Sequence, residues 1–269
     1  MNLIVVVFFK ERYKVMNNYK KCIVAFLDIL GFKRLISEKG FDEILEIYKQ
    51  IINDIDAGIA LHHAVDNYDS SPSGITLQKY NEALEDAIIR PMSDSIVVAV
   101  PFENPEALAV VIDICNMIQE MFYDMDEPVL LRGGVAVGDF FCDDNIMFGK
   151  GLVDAYLAQE LYAIYPRIIL SNEVTIGMLV SIDNSEDLPM DKDNYWYINT
   201  LERYFGIEEY DSWEEVTEST RYDKIKRLID MHLNNYGDER VRQKYIWLKN
   251  ELRRIEKKCL LRERTLLLD

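Results

Sequence analysis

Two acidic residues stand where a sheet would present them together. Asp28 follows the apolar run Ile23-Val24-Ala25-Phe26-Leu27, and Asp94 lies in Pro91-Met92-Ser93-Asp94, between the runs Ala87–Arg90 and Ser95–Val100. The first pattern reads as a β-strand ending in a carboxylate, the second as a hairpin with a carboxylate at its turn. If those strands are neighbours, the two carboxylates converge at one edge. A pair of carboxylates with no basic neighbour is a hard-oxygen site suited to Mg²⁺ or Mn²⁺, ions that bind through one or two carboxylates plus substrate phosphates. The following Ile29-Leu30-Gly31-Phe32 can turn its backbone toward a triphosphate, and Gly31 permits a close approach. Two plain readings stay open beside this one. An Asp after a strand serves as a helix N-cap, and Asp-Ser at a hairpin serves as a turn.

The elements that must position these residues follow from periodicity. Cys22–Leu27 is apolar and β-prone, and Phe41–Ile59 carries apolar residues at helical spacing. The stretch 66–74 is turn chemistry, and the hairpin around Asp94 comes next. Pro105–Tyr123 is an amphipathic helix. Val129–Val137 and Asp139–Phe141 read as two strands flanking Gly138, with Ile146–Phe148 as an extension of the second. Gly151–Tyr162 is helical, Arg167–Ser171 a strand and Asn172–Leu179 a short helix. This order describes an α+β palm, a mainly antiparallel sheet with helices on one face. A polar break at Ser181–Asn194 marks the boundary, giving a core at 17–181 and a linker with a helical C-terminal extension at 182–269 packed on it. The Lys- and Arg-rich stretch 253–264 reads as a solvated helix face.

Composition narrows the function classes. The chain has 269 residues, 49% of them hydrophobic, and a net charge of −17. It can bury a core, and its field repels phosphate backbones and anionic lipid, so nucleic-acid and membrane-surface binding are not expected. Cys22, Cys115, Cys142 and Cys259 are scattered, which argues against a disulfide framework or zinc cluster. Leu3–Phe9 is too short to span a bilayer and lacks signal-peptide flanks. Met16 is an alternative start, residues 1–16 read as an extension outside the core, and the reading is a soluble cytoplasmic protein.

Several segments, taken together, carry a resemblance. Phe26-Leu27-Asp28-Ile29-Leu30-Gly31-Phe32 resembles the first metal motif of class III nucleotide cyclases, and Ser93-Asp94-Ser95 their second. Leu131-Arg132-Gly133-Gly134-Val135-Ala136-Val137-Gly138 is similar to their R-x-G-I-x-x-G strand, and Gly149–Tyr156 stands in the place of the G-x-x-V-N-x-A segment. With Tyr165-Pro166-Arg167-Ile168-Ile169 and Lys244-Tyr245-Ile246-Trp247-Leu248, the set looks like the bacterial pyrimidine cyclases of Pycsar anti-phage systems.

The resemblance implies a class III cyclase-like palm and a homodimer with its sites at the interface. It implies two Mn²⁺ or Mg²⁺ ions per site, held by Asp28, Asp94 and the Ile29 carbonyl, and nucleotide contacts from Gly31, Phe32 and Arg90. The substrate would be UTP, giving cyclic UMP; CTP giving cyclic CMP is the alternative. The product would activate an effector encoded by a neighbouring gene. Arg90 stands where adenylyl cyclases carry a purine-reading Lys, as a base or phosphate contact or else a strand-end ion-pair partner. The family's transition-state Asn and Arg are replaced by Asp154 and Ala158. Another Arg would have to serve, with Arg132 and Arg167 as candidates. Two rivals differ in class. A diguanylate cyclase is disfavoured because Gly133-Gly134 is followed by Val135, while a non-catalytic nucleotide-binding module accommodates the missing pair.

Overall fold

The computed structural model describes residues 18–64, 77–104, 106–174, 188–206, 212–234 and 237–266. The strands are β1 (Lys20–Ile29), β2 (Ile88–Met92), β3 (Ser95–Pro101), β4 (Leu131–Cys142), β5 (Met147–Phe148), β6 (Ile168–Leu170) and β7 (Tyr197–Ile198). They form one sheet in the order β2-β3-β1-β4-β6-β7, with β5 paired to β4. Every pair is antiparallel except β4–β6. The helices are α1 (Phe32–Ala64), α2 (Leu77–Glu85), α3 (Ala107–Asp124), α4 (Lys150–Tyr162), α5 (Thr200–Phe205), α6 (Trp213–Glu218), α7 (Thr220–Asn234) and α8 (Glu239–Leu266). The architecture is α+β, with the expected helical C-terminal region.

The central strand is apolar throughout because both of its faces are covered. Ile23, Ala25, Leu27 and Ile29 pack with Ile96, Val98 and the α3 residues Val110, Val111, Ile114 and Ile118. The alternate residues Cys22, Val24 and Phe26 pack with Val97, Ala99, Ala136 and Ala155 of α4. Helix α4 therefore occupies the face opposite α3, an addition to the one-sided arrangement that element order suggested.

Gly138 does not divide two strands; β4 runs unbroken from Leu131 to Cys142. Its glycines make room for α4. A Cβ on Gly138 would lie 2.6 Å from the Gly151 nitrogen, and one on Gly134 would lie 2.4 Å from the Ala155 carbonyl oxygen. Helix α1 starts earlier than its apolar period suggested and is broken at Gly40, where φ is 79°.

The C-terminal region shares its core with the palm. Leu201, Phe205, Ile225, Leu228, Leu248 and Leu252 cluster with Tyr123 and Leu130. Strand β7, which lies beyond the polar break, extends the sheet from β6. The loop at 66–74, residues 1–16, the 175–179 part of the expected helix at 172–179 and the 181–187 part of the polar break lie outside the described residues. Among the described residues no helix is long and apolar enough to cross a membrane.

Candidate active site

The strand register brings the two acids together. Asp28 faces Ser95 across β1–β3, and the Ile29 N–H donates to the Asp94 carbonyl at 2.8 Å. Asp28 also faces Arg132 across β1–β4. Met92, Ser95, Asp28 and Arg132 thus form one row across four strands. By strand alternation Asp28 projects on the same face as Val24 and Phe26, the face of α4.

Asp28 has a basic neighbour after all. The Arg132 Nε donates to Asp28 Oδ2 at 2.6 Å, and both side chains are about four-fifths withdrawn from solvent (22% and 19% exposed). The Arg132 Nη2 lies 3.7 Å from Glu160. With its amide turned over, Gln159 places its oxygen 2.8 Å and 2.9 Å from Arg132 Nε and Nη2. The sequence hid this contact because 104 residues separate the partners, which only the β1–β4 pairing joins. Such a charge-assisted bond in a partly buried setting orients the carboxylate.

The remaining geometry bears on whether a divalent cation fits. Among the described residues no three His, Cys, Asp or Glu side chains gather to hold a metal. The chain itself supplies two carboxylates and a backbone carbonyl, all hard oxygens. That set suits a cation that arrives with phosphate oxygens to complete its shell, as Mg²⁺ commonly does. Arg132 competes for one oxygen of Asp28, and a negatively charged substrate would give that guanidinium another partner.

Asp94 sits exposed in a two-residue turn whose first member, Ser93, has a left-handed φ of 58°. The Tyr48 hydroxyl of α1 donates to the Ser93 carbonyl. Burial and the Asp94 charge push the Tyr48 phenol up to about 12. Tyr48 packs against the core, and its hydroxyl holds the turn that carries Asp94. On the other side, Gly31 adopts φ 79° and its carbonyl accepts from the Arg34 and Leu35 N–H groups at 2.9 and 3.0 Å, opening α1. Only glycine takes that conformation without strain. The Phe32 ring packs inward against the core, 6.5 Å from the Tyr48 ring. What Phe32 can offer a ligand is its backbone.

The arginine candidates separate. Arg90 lies on β2 opposite Val97, which faces Phe26, so it shares the Asp28 face two strands away, roughly 10 Å across the sheet. Arg167 is not at the site and is not a surface charge. Its side chain is 1% exposed and bound to Asp191 and Asp193, and Trp247 Nε1 also donates to Asp191 at 2.7 Å. It clasps the sheet edge to the extension. Of the departures from the cyclase pattern, Asp154 pairs with Lys150. Ala158 is buried beneath Gly134, where a guanidinium would have no room.

Two cations had no role assigned from sequence. Lys244 of α8 lies within electrostatic reach of Asp28 and Arg132. Arg34 of α1 lines a cavity with Lys244, His232 and Tyr245. Lys244 comes from a segment that meets Asp28 only in the folded chain, and the quoted Lys244–Leu248 segment was the one signal pointing toward α8; Arg34 stands on α1, which directly follows β1.

No family model matches the chain, and no curated protein matches it. Solved structures do. The chain is similar to the guanylate cyclase domain of RhGC from Catenaria anguillulae in complex with GTP, at 12% identity, over 67% of this chain and 95% of that one, with a TM-score of 0.42. It is similar to the catalytic core of a rhodopsin-guanylyl cyclase with converted specificity in complex with ATPαS (15% identity, 67% and 96% covered, TM-score 0.43). A third is the adenylyl cyclase CyaB from P. aeruginosa (16% identity, 67% and 93% covered, TM-score 0.38). GTP and ATPαS are those proteins' ligands.

Proposed function

We propose that the protein is a nucleotide cyclase that converts a pyrimidine nucleoside triphosphate, UTP foremost, into its 3′,5′-cyclic monophosphate and diphosphate. The observation that carries this reading is the register pairing that sets Asp28 beside the Asp94 turn, with Arg132 at hand for phosphate. The sequence resemblance to class III cyclases supplies the reaction type. Asp28, Asp94 and the Ile29 carbonyl would hold two Mg²⁺ or Mn²⁺ ions. When bound, these lower the pKa of the ribose 3′-hydroxyl and neutralise phosphate charge. The 3′-oxygen attacks the α-phosphorus in line, its proton passes to solvent, and the bond from the α-phosphorus to the bridging oxygen breaks as diphosphate departs. Gly31 leaves its backbone accessible to phosphate, and Arg132, released from Asp28, meets negative charge on the polyphosphate.

Arg90 is the base-edge candidate. A guanidinium donates and cannot accept, so at the O4/N4 edge it favours uracil, because cytosine would set donor against donor. Cyclic CMP formation is the alternative within the same family. The Pycsar resemblance adds an anti-phage role through an effector encoded nearby.

The homodimer fits an uncovered feature of α4. Val153, Leu157 and Leu161, four residues apart, are 53%, 41% and 55% exposed, and Phe148 of β5 is exposed too. Such a stripe suits a second copy of the chain.

One observation favours a second reading. Asp28 is engaged by Arg132, and Asp154 and Ala158 stand in for the transition-state pair, as expected of a module that binds nucleotide without turning it over. Mass spectrometry of the purified protein with Mn²⁺ and the four ribonucleoside triphosphates at equal concentration separates these readings. A dominant cyclic UMP peak is expected. Cyclic CMP overturns the uracil assignment, cyclic AMP or GMP overturns the pyrimidine assignment, and no cyclic product overturns the enzyme.

A further inference from the structure

Arg132 is held differently from Arg167. Arg167 reaches its two carboxylates, Asp191 and Asp193, through two different nitrogens, and its side chain is 1% exposed. That is a fixed clasp. Arg132 instead directs one nitrogen at two acceptors. Its Nε lies 2.6 Å from Asp28 Oδ2 and, with the Gln159 amide turned over, 2.8 Å from the Gln159 oxygen. Nε carries a single hydrogen, so the two acceptors compete for it. The same Gln159 oxygen lies 2.9 Å from Arg132 Nη2, and Glu160 Oε2 lies 3.7 Å from that nitrogen.

Gln159 is fixed in place. It is 2% exposed on α4, where helix and strand meet closely: a Cβ on Gly134 would lie 2.7 Å from the Gln159 backbone nitrogen. A buried side-chain amide needs partners, and the Arg132 guanidinium is what its oxygen faces. Arg132 thus has a second seat beside the first, a neutral acceptor with the Glu160 carboxylate nearby. A guanidinium and a divalent cation repel each other and compete for one carboxylate. Leaving Asp28 would ordinarily strand a partly buried charge, which is costly. The Gln159–Glu160 side lowers that cost.

We propose that Gln159 is a positioning residue, which receives the Arg132 guanidinium when Asp28 gives its carboxylate to a divalent cation. Arg132 is then a removable counter-ion and not a permanent partner. The inference rests on the reading of Asp28 as a cation ligand. It gives α4 a part in the chemistry of the β1 acid beyond covering the sheet. A hold through Nε and Nη2 leaves Arg132 further N–H donors for phosphate. Cation affinity is set by the share of molecules in which Asp28 is released.

The test titrates the full chain with Mn²⁺ alone in a calorimeter. Arg132→Met should tighten Mn²⁺ binding by about tenfold or more, because the competitor is gone, and Asp28→Asn should abolish the tightened site. Gln159→Met keeps the side chain's shape and removes its acceptor, so it should weaken Mn²⁺ binding about fivefold. In the Arg132→Met background the same change should have no effect, since no guanidinium is left to receive. A Gln159 that merely packs would give equal losses in both backgrounds, and that result overturns the proposal. Equal Mn²⁺ affinity in the wild type and Arg132→Met overturns it as well and leaves the cation site standing; no Mn²⁺ binding by either removes both. Should Gln159→Met unfold, the wild type decides through arginine-selective ¹⁵N NMR. The Arg132 Nε–H signal, identified by its loss in Arg132→Met, should move on Mg²⁺ addition as a charged acceptor gives way to a neutral one; a signal that stays in place overturns the proposal. Cation affinity controlled by Arg132 in a protein that forms no cyclic nucleotide would sink the cyclase reading and leave this switch standing.

Discussion

Asp28 and Asp94 have different surroundings, so their removal should read differently. Either Asp→Ala change is expected to abolish cyclic nucleotide formation, and product within tenfold of wild type would refute the assignment. Asp94 is exposed in a turn, and its loss should leave stability nearly unchanged. Asp28→Ala strips Arg132 of its carboxylate in a half-buried row, which should cost about 1–3 kcal/mol in denaturant unfolding. At Arg90, Arg90→Ala should lower kcat/KM by roughly tenfold or more. A loss confined to UTP marks a base contact; an equal loss for all four nucleotides marks a phosphate contact. Unchanged kinetics returns Arg90 to an ion-pair role.

At the scale of elements, the site is held by β4 and the helices that clamp its ends. The approach of α4 to β4 is set by backbone meeting backbone at Gly134 and Gly138, where no flexible side chain can yield. Gly134→Ala or Gly138→Ala should therefore destabilise the protein by about 1–3 kcal/mol, measured by thermal or urea unfolding. Neutral behaviour at both positions would contradict the packing. The outer face of the same helix carries Val153, Leu157 and Leu161. Val153→Glu should raise the dimer dissociation constant about tenfold or more in sedimentation. A wild type that is monomeric at high concentration would remove the dimer from the proposal.

For the whole molecule, alkaline pH is a sensitive probe because tyrosines tie its parts together. Burial pushes the Tyr48 and Tyr245 phenols up to about 12. It raises Tyr80, Tyr123, Tyr197 and Tyr204 further; Tyr80 donates to Asp113, Tyr197 to Glu251 and Tyr204 to Asp124, the last of these across the junction between palm and extension. An unfolded tyrosine titrates near ~10. Between about pH 10 and 12 the unfolded chain loses protons that the folded one keeps, so stability is intact below pH ~10 and falls as pH rises through that window. Urea unfolding at pH 8, 10 and 11 should show a falling midpoint, with the tyrosinate absorbance of these buried tyrosines appearing only on unfolding. Free titration of all tyrosines near pH ~10 in the folded protein would contradict the packing.

Sequence alone determined the features that depend on local pattern. The strand before Asp28, the hairpin around Asp94, the helices at 107–124 and 150–162 and the strand at 168–170 follow from periodicity and turn chemistry, because each element's buried face repeats at its own period. Sequence also named Asp28 and Asp94, since an acid at a strand end and an acid in a two-residue turn are local facts. Tertiary structure alone decided what those acids touch. Arg132 meets Asp28 through a strand pairing over 104 residues, and Lys244 arrives from a helix more than two hundred residues later in the chain. The direction of side chains was equally hidden. Gly138 looked like a break and proved to be a seat for α4, and Arg167, a candidate for the missing transition-state Arg, proved to be a buried clasp. A glycine's meaning depends on what approaches it, and an arginine's on which carboxylates the fold brings within reach; neither is encoded within a few residues of the position itself.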